Sequence, residues 1–218
     1  MNRAASNISR LAILLFAVGC ACCHRRAELR AEEGRVAGKV TAGAPASEIP
    51  DSAFDNVEPN SYVRYPCTPK IPNDDLDWRG ILLSAPSQSL FTPGQHDYLT
   101  GSFGPVQVCG ISCFKYDTLG LNGDFLEKIV LVATDTQSHA VFSGRMQVAM
   151  NGPAGGNPGP QTFGLTHDDL KDRVTVEYFN PNLAYVLHLP EAEAEYLVHA
   201  TLGPYKSNVV RVRVKKRN

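Results

Sequence analysis

The chain has 218 residues, 43% of them hydrophobic and 20% charged, enough apolar mass for a packed core and too few charges for a disordered chain. The formal charge is -1, so nucleic acid is not expected as a partner. Beyond the first twenty residues, no apolar run approaches the roughly twenty residues that a membrane-spanning helix needs.

Arg3 and Arg10 precede the apolar run Leu11 to Val18, which ends in Gly19-Cys20. This layout predicts a secretory signal peptide over residues 1–19, because an apolar run of about eight residues suits translocation and is too short to span a bilayer. Phe16-Ala17-Val18-Gly19-Cys20 resembles the bacterial lipobox, although Ala17 stands where leucine is commonest. The resemblance implies that Cys20 becomes the lipid-bearing first residue of a mature lipoprotein. Ala21 follows it, and by the enterobacterial pattern a residue other than aspartate there implies passage to the outer membrane. Membrane association is therefore expected through an N-terminal lipid, with the domain in an aqueous compartment. Removing residues 1–19 takes away two arginines and no acids, leaving 19 basic against 22 acidic residues, or -3.

Residues 20–77 read as anchor and tether. Charges surround the possible short helix Ala27 to Gly38 on all sides, and Pro45, Pro50, Pro59, Pro66, Pro69 and Pro72 punctuate the rest, which blocks helices and favours extended chain. From Trp78 the pattern changes to short extended segments between turn signals, predicting an all-β domain over 78–218 of about seven to eight antiparallel strands. Gly80–Ala85 reads as an edge strand, Asp97–Phe103 as a second, and residues 104–125 as a long loop. Leu126–Thr134 is apolar on both faces through Ile129, Val130, Leu131, Val132 and Ala133 and reads as a strand covered on both faces. Ala140–Met150 alternates, as a half-buried partner strand does. Asn151 to Pro160, rich in glycine and proline, reads as an exposed loop. Thr166 caps one helical turn with Asp168 and Asp169 behind it, and Val174–Phe179 and Leu183–Leu189 read as a hairpin about Asn180-Pro181-Asn182.

At the C-terminus Ala194, Tyr196, Val198 and Ala200 share one face of a strand, and after Gly203-Pro204 the residues Val210, Val212 and Val214 alternate with Arg211, Arg213 and Lys215. The register places Glu195 near Arg213. This run resembles the last two strands of an immunoglobulin or fibronectin type III sandwich, with Tyr196 placed like the tyrosine-corner residue.

Chemistry-bearing patterns are sparse. With Cys20 lipidated, Cys22, Cys23, Cys67, Cys109 and Cys113 remain, an odd number. The expected staple joins Cys109 to Cys113, with Cys67 as the competing partner. A redox role is disfavoured because thioredoxin-like sites use two intervening residues at a helix start, whereas three separate these cysteines. The histidines fall in no recognised ligand spacing, and capping accounts for His167-Asp168-Asp169, so no metal site is expected. Asn73-Asp74-Asp75 with Asp77 lacks the glycine and distal glutamate of a calcium loop. There is neither a nucleophile elbow nor a phosphate loop, so no catalytic or cofactor-binding residue is expected.

The expectation is thus a cell-envelope lipoprotein carrying a non-catalytic binding or structural sandwich. Its partner would be another envelope protein or a surface polymer. The alternatives are a secreted enzyme or thiol-redox protein with a loop-built site, and a periplasmic inhibitor or chaperone acting by strand addition.

Overall fold

A computed structural model describes residues 49–72, 75, 77–97, 102–146 and 165–218. The expectations for the signal peptide, Cys20, Cys22, Cys23, the Ala27–Gly38 helix, the 151–160 loop and most of the Asp97–Phe103 strand lie outside the described residues. So do Asn73 and Asp74, and the end of the Ala140–Met150 segment.

The domain is an all-β sandwich, with nine strands in two sheets among the described residues. They are β1 Gly80–Ser84, β2 Ser89–Phe91, β3 Cys109–Lys115, β4 Val130–Asp135, β5 Val141–Arg145, β6 Val174–Phe179, β7 Ala194–Leu202, β8 Tyr205–Lys206 and β9 Val210–Lys216. One sheet runs β1-β3-β6; the other runs β2-β9-β7-β4-β5, with β8 paired to β7. The order β9-β7-β4-β5 is the G-F-C-C′ order of variable-type immunoglobulin sandwiches, and β1-β3-β6 matches their A-B-E strands. The ladders are antiparallel except β2, which adds in parallel to β9.

Alternation selects the core. Tyr196, Val198 and Ala200 of β7 face inward beside Val212 and Val214 of β9 and Leu131 and Ala133 of β4, opposite Ile81, Leu83, Phe114 and Phe179 of the other sheet. Glu195 stands opposite Arg213, as expected, and binds both Arg213 Nε at 2.7 Å and Arg211 Nη1 at 2.6 Å. Those bonds, Arg213 foremost, lower the Glu195 pKa.

Four expectations change. Residues 104–125 are not one loop, because they contain β3, the strand buried on both faces. Its inner face carries Gly110, Ser112 and Phe114 and its outer face Cys109, Ile111 and Cys113. The segment expected to be covered on both faces, Leu126–Thr134, instead opens with a 3-10 turn at Leu126–Lys128 and then alternates as β4. Leu183–Leu189 is not a strand but begins with the helical turn α2, Leu183–Val186; α1 is the expected turn His167–Leu170, capped by Thr166. Residues 49–72 are not a free tether. Phe54, Val57 and Cys67 bury themselves with Cys109, and Ile49, Ala53 and Tyr65 pack beside them.

Candidate functional site

The expected Cys109–Cys113 bond is corrected by the geometry. Both residues lie on β3, four positions apart, which in extended chain is about 13 Å, far beyond the ~4.4–6.8 Å between Cα atoms that a disulfide spans. Cys109 is bonded to Cys67, the competing partner, with Cα atoms 5.9 Å apart. Ser84, opposite Cys109 in register, donates its hydroxyl to the Cys67 carbonyl. Cys113 is a free, buried thiol. Burial pushes its pKa up while Arg79 opposes the shift, the reverse of what a thiolate nucleophile needs.

Tyr196 is 1% exposed. Its ring meets Phe142 edge-on with centroids 6.0 Å apart, and its hydroxyl has no hydrogen-bond partner, so it shares the burial of a tyrosine corner without the hydroxyl bond that defines one. Burial, with Asp135 assisting, raises its pKa.

A site-like concavity lies where the β2–β3 connection meets α2 and the chain after it. It encloses about 210 Å³ and is lined by His96, Ser102, Phe103, Ala184, Tyr185, His188, Leu189 and Glu191. Phe103, Ala184 and Leu189 are buried and form an apolar floor; the Phe103 ring is locked edge-on against Phe91, 5.3 Å between centroids. At the rim, His96 Nε2 and Glu191 Oε2 are 3.1 Å apart, and the Gly94 N–H donates to Glu191 Oε1 at 2.6 Å. Both oxygens of this carboxylate are thereby engaged.

Behind the concavity lies Asn180-Pro181-Asn182, the tripeptide expected to turn a hairpin, of which Asn182 bonds the lining residues Ser102 and Ala184. Asn182 caps α2: its Oδ1 accepts the Ala184 N–H at 3.1 Å and the Val106 N–H at 3.0 Å, and its Nδ2 donates to Ser102 Oγ at 3.4 Å. Helical geometry prevails here because a capped turn satisfies the α2 donors that a strand would have to pair elsewhere. The turn ends with His188 at φ 50°, a left-handed position where glycine is the usual residue. His188 lies within the Leu183–Leu189 segment expected to be a strand, and the sequence spacing of His96 and Glu191 carries no signal that links them.

A second, longer groove of about 510 Å³ runs along Leu83–Ser87, Asn208–Arg211 and Ile49–Asp51. Its β1 edge is already occupied at Leu83, whose N–H and C=O are bonded by the Asn208 amide at 2.8 and 2.9 Å. Among the described residues no group of three or more His, Cys, Asp or Glu is placed to hold a metal ion. No helix among them is long and apolar enough to cross a membrane. No protein-family model and no curated protein matches the chain.

Proposed function

We propose that the chain is an exported cell-envelope lipoprotein, anchored through Cys20, whose immunoglobulin-like sandwich serves as a binding or structural module rather than a catalyst. The observation that supports this reading most directly is the buried Cys67–Cys109 bond, since structural disulfides persist in oxidising compartments and are rare in the cytosol. The lipobox resemblance at residues 16–20 supplies the route to that compartment and the means of attachment. In a host with two membranes, Ala21 favours the outer one, with the domain reaching another envelope protein or a surface polymer.

The test is intact-mass measurement of the mature protein together with metabolic lipid labelling. The expected result is a chain beginning at an acylated Cys20, with Cys20→Ser leaving an unlabelled, unprocessed precursor. A mature chain without lipid, or one cut at another bond, overturns the proposal.

A further inference from the structure

We infer that the outer face of the sheet β2-β9-β7-β4-β5 docks on an anionic lipid bilayer, so that the domain itself, and not only an N-terminal lipid, meets the membrane. The inference goes beyond the lipoprotein reading and does not need the lipid at Cys20.

The register builds this face row by row. Val141 stands beside Thr134, Thr134 beside Leu197, and Leu197 beside Arg211. In the next row Ser143, Val132 and His199 are neighbours, and beyond them Arg145, Val130, Thr201 and Lys206. On β9, Arg213 and Lys215 continue the opposite margin, where Lys215 stands beside Leu90. These side chains point away from the core, since the residues that alternate with them, among them Leu131, Ala133, Val198, Ala200, Val212 and Val214, are buried. The centre of the face is thus apolar and its two margins are basic. Val141 is 65% exposed and Leu197 37%, so the apolar centre is open to contact. His199 adds little charge there, because burial, and then the nearby Lys206, lowers its pKa and favours the uncharged ring.

Charge selects the occupant. The face holds five cations, Arg145, Lys206, Arg211, Arg213 and Lys215, against two carboxylates, Glu193 and Glu195, a net +3 on a chain whose formal charge is -1. Glu195 is shared by Arg211 and Arg213, and Lys215 lies 3.9 Å from Glu193, whereas Arg145 and Lys206 form no ion pair among the described residues. A second copy of the chain is disfavoured, because a two-fold interface sets the same patch against itself and would bring the two positive surpluses together. A bilayer with acidic headgroups suits both features at once. Long cationic side chains reach the headgroups while the apolar groups between them enter the interface. At these register positions there is no tryptophan, tyrosine or phenylalanine, the aromatic anchors on which protein interfaces commonly depend.

The test is flotation of the mature chain from residue 20, carrying Cys20→Ser so that no lipid attaches it. The vesicles are phosphatidylcholine alone, or phosphatidylcholine and phosphatidylglycerol in equal parts. Flotation with the anionic vesicles only is expected, weakening as salt shortens the screening length. Each lysine or arginine near an anionic surface strengthens binding about five-fold, so Arg145→Gln together with Lys206→Gln should weaken it about 25-fold. Leu197→Ser should weaken it several-fold by removing apolar contact. The control is Lys115→Gln, on the outer face of the other sheet, which should leave binding unchanged. All these positions are exposed, so an undiminished melting temperature shows that a variant is folded. Equal flotation with both kinds of vesicle, none with either, or unchanged flotation in the double variant or in Leu197→Ser overturns the inference. So does a loss in Lys115→Gln as large as in the double variant. Binding to soluble polyglutamate as tight as to the anionic vesicles assigns the face to an acidic protein instead and also overturns it. Intact mass of the unaltered protein reads the lipid on Cys20 separately, so either reading can fail alone.

Discussion

Glu177 gives the sharpest test of the packing. It lies on the inner face of β6, 6% exposed, directly opposite Ser112, and its Oε2 has no hydrogen-bond partner. Burial, reinforced by the nearby Asp124 charge, pushes its pKa from an ordinary 4.5 to about 8, with Ser112 moderating the rise. The folded state therefore holds a proton that the unfolded chain releases once the pH passes 4.5. Stability is unaffected below that point, falls as pH rises from about 4.5 to about 8, and levels off above. At about 1.4 kcal/mol per pH unit, the full fall is about 5 kcal/mol. This is an upper bound, because local opening lets water reach the carboxylate. Against a usual total of about 5–15 kcal/mol, such a fall is large. Glu177→Gln keeps the shape of the protonated acid and cannot ionise. Urea denaturation at pH 4.5, 6, 7 and 8.5 should show near-equal stability at the lowest pH and a growing advantage for the glutamine variant above it. Parallel pH profiles for the two proteins would refute a buried, protonated Glu177.

The Cys67–Cys109 bond joins positions 42 residues apart, so on the chain-entropy account its loss costs about 4 kcal/mol. The double variant Cys67→Ser with Cys109→Ser should show that loss in urea, and non-reducing peptide mapping should recover a Cys67–Cys109 peptide with Cys113 alkylated only after unfolding. A Cys109–Cys113 peptide would contradict the register of β3. Tyr196→Ala, which empties a fully buried aromatic site, should cost about 3–5 kcal/mol, whereas Tyr196→Phe should be neutral or stabilise by about 1 kcal/mol, because the hydroxyl it removes is buried without a partner. A loss of several kcal/mol in the phenylalanine variant, read by thermal or urea melts, would mean that the hydroxyl makes a tyrosine-corner bond after all.

How much of this was legible follows from what each segment must bury. The C-terminal strands could be read because a strict period of two exposes one face, so Tyr196, Val198, Val212 and Val214 announced themselves. The strand β3 could not, because it is enclosed on both sides at close quarters and carries small residues there. Gly110 lies against the Phe179 ring, where a side chain would collide, and Ser112, Cys109 and Cys113 are equally compact. Glycine, serine and cysteine look like loop composition until the neighbours that require them are known. The unbroken run Val108 to Phe114, short and free of charge, was the available signal. Gly144 has a similar reason, since a side chain there would strike the Val186 carbonyl and lift α2 from β5. The concavity was not legible at all, because His96 and Glu191 are separated by ninety-odd residues and meet only through the fold.

The N-terminal lead-in and the concavity share one support. The Asn60 N–H donates to the Asn180 carbonyl at 2.8 Å, the Asn180 N–H donates to the Ser61 carbonyl at 3.0 Å, and Asn60 Oδ1 accepts the Asn182 N–H at 3.0 Å. The Asn180 side-chain amide adds a bond to the Val63 carbonyl at 2.8 Å. The same tripeptide caps α2 and bonds Ser102, so the segment that pins the lead-in also supports two residues that line the concavity. With Cys67 fixed to Cys109 a few residues further on and the Asp51 carboxylate accepting from the Ser87 N–H and hydroxyl, residues 49–72 are held by one covalent bond and by hydrogen bonds at two further places. The prolines that suit a tether equally suit an extended strap whose backbone is bonded through one short antiparallel bridge, Ser61 to Asn180, and by asparagine side chains.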